Sequence, residues 1–125
     1  MNRKQIIEQM ADIQNSDHPE KVEKLSNLLV DAVLQEDIDL VYMLLQDGAE
    51  VDQANGFGST ALMQAAMEGQ TKTAELLIAN GAKVDQADIT GDTALMEAAK
   101  KGYTEIAELL ILGTKEDFSK YYATS

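Results

Sequence analysis

Apolar and polar positions along the chain repeat with a period of 33 residues. Residues 55–79 read NGFGSTALMQAAMEGQTKTAELLIA, and residues 88–112 read DITGDTALMEAAKKGYTEIAELLIL. The two segments align without a gap, and the same offset of 33 relates residues 48–54 to residues 81–87. A fixed period of this length indicates stacked repeats, in which each unit buries its apolar face against a neighbour.

Each unit is predicted to contain a helix, a tight turn, a second helix and a long loop. Apolar residues recur at helical spacing after Thr60 and Thr93, whose hydroxyls can cap the free N–H groups of a helix start. Asn55-Gly56 predicts a hairpin-like loop tip. Glycine accepts the left-handed backbone conformation that ends many helices, and such glycines stand at Gly48, Gly69, Gly81 and Gly102.

Three units are predicted, at about residues 25–52, 53–85 and 86–114. The first keeps the apolar positions but lacks the Gly-x-Thr opening, which is typical of a terminal unit with one face toward solvent. Residues 1–24 are predicted to form an N-terminal helical cap, because four apolar side chains share one helical face: Ile6, Ile7, Met10 and Ile13. Residues 115–125 are predicted to form a C-terminal cap or tail that covers the other end with Phe118 and either Tyr121 or Tyr122.

The motif T-A-L-M-x-A-A at residues 60–66 and 93–99 resembles the ankyrin repeat, whose opening signature is T-P-L-H-x-A-A. The resemblance covers residues 25–112 in three units. It implies an all-α solenoid of stacked helix-turn-helix units with β-hairpin-like loops. A tetratricopeptide array is the alternative, but its period is 34 residues and its Trp and Pro signals are missing.

The resemblance implies that a partner protein binds at the loop tips and at the exposed ends of the first helices. The implied tip residues are Asn55, Phe57, Ser59, Asp88, Ile89, Thr90 and Asp92. The implied helix-end residues are Met67, Glu68, Lys100 and Lys101. Exposed aromatic residues are common interface anchors, although Phe57 has the alternative of folding back onto the neighbouring loop. Met67 has the alternative of packing partly against the next helix.

The net charge is −12, from 22 acidic and 10 basic residues, and no Lys or Arg lies between Lys24 and Lys72. Nucleic-acid binding needs clustered cations, so the sequence favours a protein partner with a basic surface. Plain solubility is the alternative explanation of the acids. The chain has no Cys, no apolar stretch long enough to span a membrane and no signal-peptide pattern at its start, so we expect a cytoplasmic protein.

No catalytic residue, cofactor or metal site is predicted. Residues 56–61 match a dinucleotide-binding pattern, but a repeat loop precedes them and the position about 20 residues on is Gly81 rather than an acid. His18 is the only histidine, so a transition-metal site or a His-based triad is poorly supported. Calcium-loop spacing is missing from the acids of the first unit, which are Asp31, Glu36, Asp37 and Asp39.

These patterns predict a non-catalytic protein-interaction module that acts as an adaptor or an inhibitor; they leave its oligomeric state open and favour a monomer. One specific version is an immunity or antitoxin-type inhibitor that covers a basic effector such as a nuclease. A self-associating scaffold is the alternative, with Tyr121 and Tyr122 docking on another copy. An enzyme is disfavoured because thin stacked arrays rarely enclose the apolar pocket that a catalytic carboxylate needs.

We expect a stack of modest stability. Ala and Met replace the Pro and His of the signature in both strong units, as in Ala61 and Met63. The resemblance implies that the His would form hydrogen bonds between neighbouring repeats, whereas Met can only pack. A thermal melt followed by circular dichroism should show a midpoint no higher than ~65 °C, the upper end for ordinary mesophile domains. A midpoint well above this value would contradict the prediction.

Overall fold

The computed structural model describes residues 2–14 and 20–115. The described residues form seven helices: α1 (Arg3–Gln14), α2 (Lys21–Leu34), α3 (Ile38–Gln46), α4 (Ala61–Met67), α5 (Thr71–Ala79), α6 (Ala94–Lys101) and α7 (Thr104–Lys115). Among these helices, none has both the length and the apolar character that a membrane span requires. Four residues considered in the sequence analysis lie outside the described residues: His18, Phe118, Tyr121 and Tyr122.

The helices form two layers. The first helices of the units, α2, α4 and α6, pack side by side, and the second helices, α3, α5 and α7, pack beside one another. Each first helix also packs on the second helix of its own unit. Within the described part of the chain, the loops carry one isolated antiparallel bridge, between Ala87 and Thr93. The predicted all-α solenoid of helix-turn-helix units is confirmed.

Side-chain oxygens cap the starts of α3, α4 and α6. The Oγ1 atoms of Thr60 and Thr93 each accept a hydrogen bond at 3.3 Å from the backbone N–H three residues later, as the sequence predicted. Asp37 does the same for α3, where its Oδ1 accepts from the N–H of Leu40 at 3.1 Å. Each cap satisfies a donor that the helix itself leaves unpaired, so it fixes where the helix begins.

The core is built from columns of buried residues that recur every 33 positions. Ala32, Ala65 and Ala98 are all fully buried in the layer of first helices, where small side chains let neighbouring helices approach closely. A matching column of buried leucines runs through the second helices: Leu44, Leu77 and Leu110. The core is therefore assembled from contacts between successive units.

The N-terminal helix α1 packs on α2. Ile6, Met10 and Ile13 are buried, whereas Ile7 is exposed, so the expectation that all four face the stack is wrong for Ile7. Positions 6, 10 and 13 follow the helical period, and position 7 lies about 100° around the helix from position 6. Arg3 adds an ion pair with Asp37, which brings a positive charge to the acidic first unit.

Hydrogen bonds also join successive units. The Oδ1 of Asp52 accepts a bond at 2.9 Å from the N–H of Lys83 in the next unit. The side-chain amide of Gln70 donates at 2.7 Å from Nε2 to the carbonyl oxygen of Val33 in the unit before. These bonds hold the loops and turns of one unit against its neighbour.

The turn between the helices of each unit contains one residue in the left-handed conformation. This residue is Gly69 in the second unit and Gly102 in the third, with φ of 70° and 75°. The first unit has Glu36 at the same position, with φ of 56°. A Cβ added to Gly69 would lie 3.1 Å from Cζ of Tyr103, whereas a Cβ added to Gly102 would meet nothing within 4 Å.

We predict that Gly69→Ala lowers the free energy of unfolding more than Gly102→Ala. Both substitutions place an alanine in the left-handed conformation, which lowers the free energy of unfolding by roughly 1–2 kcal/mol. Only Gly69→Ala also pushes against the ring of Tyr103, and such overpacking adds about 1 kcal/mol or more. Urea unfolding of both variants measures the difference. An equal decrease in the free energy of unfolding would show that the contact with Tyr103 does not affect stability.

Candidate interaction surface

The first loop tip is braced by the side chain of Asn55. Its Oδ1 accepts hydrogen bonds from the N–H of Phe57 at 2.9 Å and from the N–H of Ser59 at 3.0 Å. The backbone N–H of Asn55 donates to the carbonyl oxygen of Ser59 at 3.0 Å. An Asx side chain that bonds its own backbone in this way holds a tight turn.

The second loop tip uses the same geometry 33 residues later. The Oδ1 of Asp88 accepts from the N–H of Thr90 at 2.9 Å and from the N–H of Asp92 at 3.0 Å. The hydroxyl of Thr90 donates to the same oxygen at 2.6 Å. Asn55 and Asp88 were predicted to bind a partner. In the structure, the side chain of each stabilises its own loop.

Two large apolar side chains stand side by side on these tips. Phe57 is 72% exposed and Ile89 is 70% exposed. The N–H of Ile89 donates to the carbonyl oxygen of Phe57 at 3.1 Å. The two loops therefore touch through their backbones, while most of the Phe57 side chain remains accessible.

Behind the second tip, Asp92 forms an ion pair with Lys100. The Nζ of Lys100 lies 2.7 Å from Oδ2 of Asp92 and 3.7 Å from Oε1 of Glu97. The hydrogen bond from Lys100 lowers the pKa of Asp92, and the same bond raises the pKa of Lys100. The hydrogen bond from the Thr90 hydroxyl is the main cause that lowers the pKa of Asp88. Asp92 and Lys100, two of the predicted partner-binding residues, thus form an ion pair with each other.

Carboxylate oxygens of Asp88, Asp92 and Glu97 lie within 4.8 Å of one another. Asp88 is engaged by the loop, and the other two carboxylates lie beside the Lys100 ammonium, so their arrangement is explained by the fold without a cation. This group differs from the acids of the first unit that the sequence analysis considered. Of those acids, Asp37 caps α3 and pairs with Arg3.

The helix-end residues lie at the opposite end of the first helices from the tips. Met67 is half-buried where α4 ends, and Glu68 is exposed directly after it. Lys101 is exposed at the last residue of α6. The seven residues of α4 rise about 10 Å, so the two groups of residues are separated by the length of the helix. Only Lys100 reaches back along α6 to a tip residue, Asp92.

An open groove of about 320 Å³ connects α2 to the first tip. Its lining includes Asn27, Val30, Asp31, Leu34, Asn55 and Gln64. The groove carries one acid and an exposed leucine, and it lies on the layer of first helices. An open groove with this lining suits contact with another macromolecule.

Sequence reasoning missed a second exposed apolar surface, on the outer side of α3. Ile38 and Tyr42 are exposed there, one helical turn apart. The corresponding residues of the next unit are Thr71 and Glu75, and both are polar. A comparison of the units with one another at these two positions would have revealed the surface.

The comparisons with known proteins agree with this architecture. A family model described as ankyrin repeats, in three copies, matches residues 29–120. No curated protein matches the chain. The family match spans most of the 125 residues and runs from within α2 to beyond the end of α7. The chain therefore belongs to the ankyrin repeat family.

Proposed function

We propose that this chain is a non-catalytic adaptor or inhibitor that binds a protein partner with a basic surface. Ankyrin repeats are generally protein–protein interaction modules. The observation that carries the proposal is the pair of apolar side chains, Phe57 and Ile89, held outward on two adjoining loop tips. Apolar anchors of this kind contribute much of the binding energy of interfaces.

The tips are arranged before any partner binds. Asn55 and Asp88 brace the loops from within, and the bond from Ile89 to Phe57 joins the two loops. A prearranged loop loses less conformational entropy on binding than a loose one. This bracing supports Phe57 and Ile89 as the centre of the interface, with Ser59 and Thr90 at its edge.

The charge of the chain favours a basic partner. The net charge is −12, and acids lie beside the tips at Asp88 and Asp92 and at the helix end at Glu68. Charge complementarity speeds encounter and excludes acidic competitors. The same charge opposes contact between two copies, which supports a monomer. An inhibitor that covers a basic effector is one form of this function.

Several features support binding over catalysis. Ankyrin repeats are generally non-enzymatic. The shifted pKa values of Asp88, Asp92 and Lys100 are explained by the hydrogen bond from Thr90 and by the pairing of Asp92 with Lys100 at the second loop tip. Catalytic groups with shifted pKa values more commonly lie in a cleft.

We predict that Phe57→Ala weakens the partner complex at least ~5-fold, which corresponds to about 1 kcal/mol for an interface anchor. The partner would first be captured on immobilised chain from an extract of the source cell and identified by mass spectrometry. Its Kd would then be measured by calorimetry for both forms. Leu112→Ala is the matched control, because it removes an exposed large apolar side chain from α7, in the second layer and outside the tips. Unchanged affinity for Phe57→Ala would reject the tips as the interface.

We also predict that the complex weakens as salt rises. Between about 0.1 M and about 1 M salt the Debye length falls from about 10 Å to about 3 Å, so attraction between exposed charges is screened. The Kd should rise and the association rate should fall across this range. If the affinity for the partner does not change with salt, the partner surface is not basic. Only the part of the proposal that concerns the apolar loop tips would then remain.

A further inference from the structure

A continuous furrow runs along the outer side of the second helices α3 and α5. Its central part is a groove of about 350 Å³ lined by Ile38, Lys72, Glu75, Leu76 and Ala79. At Ile38 and Lys72 it joins a groove of about 430 Å³ at the inter-helix turns, whose lining includes Glu36, Glu68 and Gln70. We call the two joined grooves the outer furrow. It lies on the layer opposite to the groove beside the first loop tip.

In and beside the outer furrow, the first unit has apolar residues at two positions of α3 where the other units have polar residues: Ile38 lines the furrow, and Tyr42 lies one helical turn farther along α3. Ile38 and Tyr42 correspond to Thr71 and Glu75 in the second unit and to Thr104 and Glu108 in the third. Tyr42 is 52% exposed, and Ile38 is also exposed, so neither contributes fully to the core. The two polar pairs show that the helix folds with Thr and Glu at these positions. The apolar pair in the first unit therefore needs an explanation other than folding.

The turn end of the outer furrow is acidic and contains a strained residue. Glu36 has φ of 56° at a position where both other units have glycine. A left-handed conformation is unfavourable for a residue that carries a Cβ atom. Glu68 lines the same end, and the buried Oε1 of Gln70 has no hydrogen-bond partner among the described residues. This end thus offers two exposed carboxylates to the cations of a partner.

We propose that the outer furrow binds an amphipathic helix of a protein partner, with apolar residues on one face and Lys or Arg beside them. Helix α3 has nine residues and so extends about 14 Å, which accommodates two to three turns of a bound helix. Apolar side chains of the bound helix contact Ile38, Leu76 and Ala79, and its cations lie near Glu36 and Glu68. Amphipathic helices recognise apolar grooves in this manner.

The acidic lining of the outer furrow favours a basic helix over a second copy of this chain as the bound partner. Of the described residues that line the outer furrow, Lys72 alone is basic, against Glu36, Glu68 and Glu75. A second copy would bring another net charge of −12 to this surface. Like charges placed opposite one another across an interface repel and so disfavour association. The outer furrow is separate from the loop tips, so this proposal can be tested independently of the function proposed above.

A defined peptide tests the proposal on the full-length chain. The probe is a fluorescent amphipathic peptide of about 18 residues, or about five helical turns, with Leu on one face and Lys beside it. The control peptide has the same Leu positions and Glu in place of Lys. Fluorescence anisotropy measures affinity, and heteronuclear NMR maps the perturbed amides. We expect the cationic peptide to bind at least ~10-fold more tightly than the acidic one, with perturbations at Ile38, Lys72 and Leu76.

The chain provides its own substitutions for the test. The double variant Ile38→Thr, Tyr42→Glu gives the first unit the residues of the other two units and keeps the fold, which circular dichroism checks. The double variant should weaken binding of the cationic peptide at least ~10-fold. Phe57→Ala, at the first loop tip, should leave the affinity for this peptide unchanged. Glu36→Gly should weaken binding several-fold without loss of thermal stability.

Three results would overturn the proposal. The first is no measurable binding of the cationic peptide to the unmodified chain. The second is equal affinity of the double variant and the unmodified chain. The third is a set of perturbed amides at Phe57 and Ile89 instead of the outer furrow, which would transfer the peptide to the loop tips and strengthen the separate proposal for them.

Discussion

Each unit of this chain completes its apolar face only when the next unit packs on it. Met63 of the second unit is 2% exposed, whereas Met96, its counterpart in the last unit, is 47% exposed among the described residues. Helices of seven to nine residues, such as α3 to α6, are marginal in isolation, and stacking supplies the burial that stabilises them. The position of every loop tip therefore depends on contacts between units.

Hydrogen bonds between units occur although the signature His is replaced by Met. The carboxylate of Asp52, the side-chain amide of Gln70 and the backbone N–H of Ile89 each bond to the adjoining unit. All three involve loops or turns, where water competes for the donors and acceptors, so each contributes about 1 kcal/mol or less. Their main effect is to set the angle and spacing of neighbouring loops, on which the adjacency of Phe57 and Ile89 depends.

The sequence predicted the parts of the structure that repeat. The buried columns, the Thr60 and Thr93 caps and the glycine turns follow from a local pattern, because the core of a stacked array is itself periodic. Contacts that do not repeat were missed. The ion pair of Arg3 with Asp37 depends on how α1 packs against the first unit, and that of Asp92 with Lys100 depends on the conformation of the loop before α6. Ile7 was misassigned because four apolar residues on one helix span a wider arc than the buried face.

Departures from the period distinguish positions needed for folding from positions that folding does not explain. Glu36, Ile38 and Tyr42 each differ from the residues that the other two units carry at the same place. Glu36 adds backbone strain, and the other two expose apolar surface, so none of the three stabilises the stack by itself. Glu36 and Ile38 line the outer furrow, and Tyr42 lies one turn farther along α3. A basic amphipathic helix bound at this surface accounts for all three departures, and it leaves the loop tips on the other layer free for a different contact.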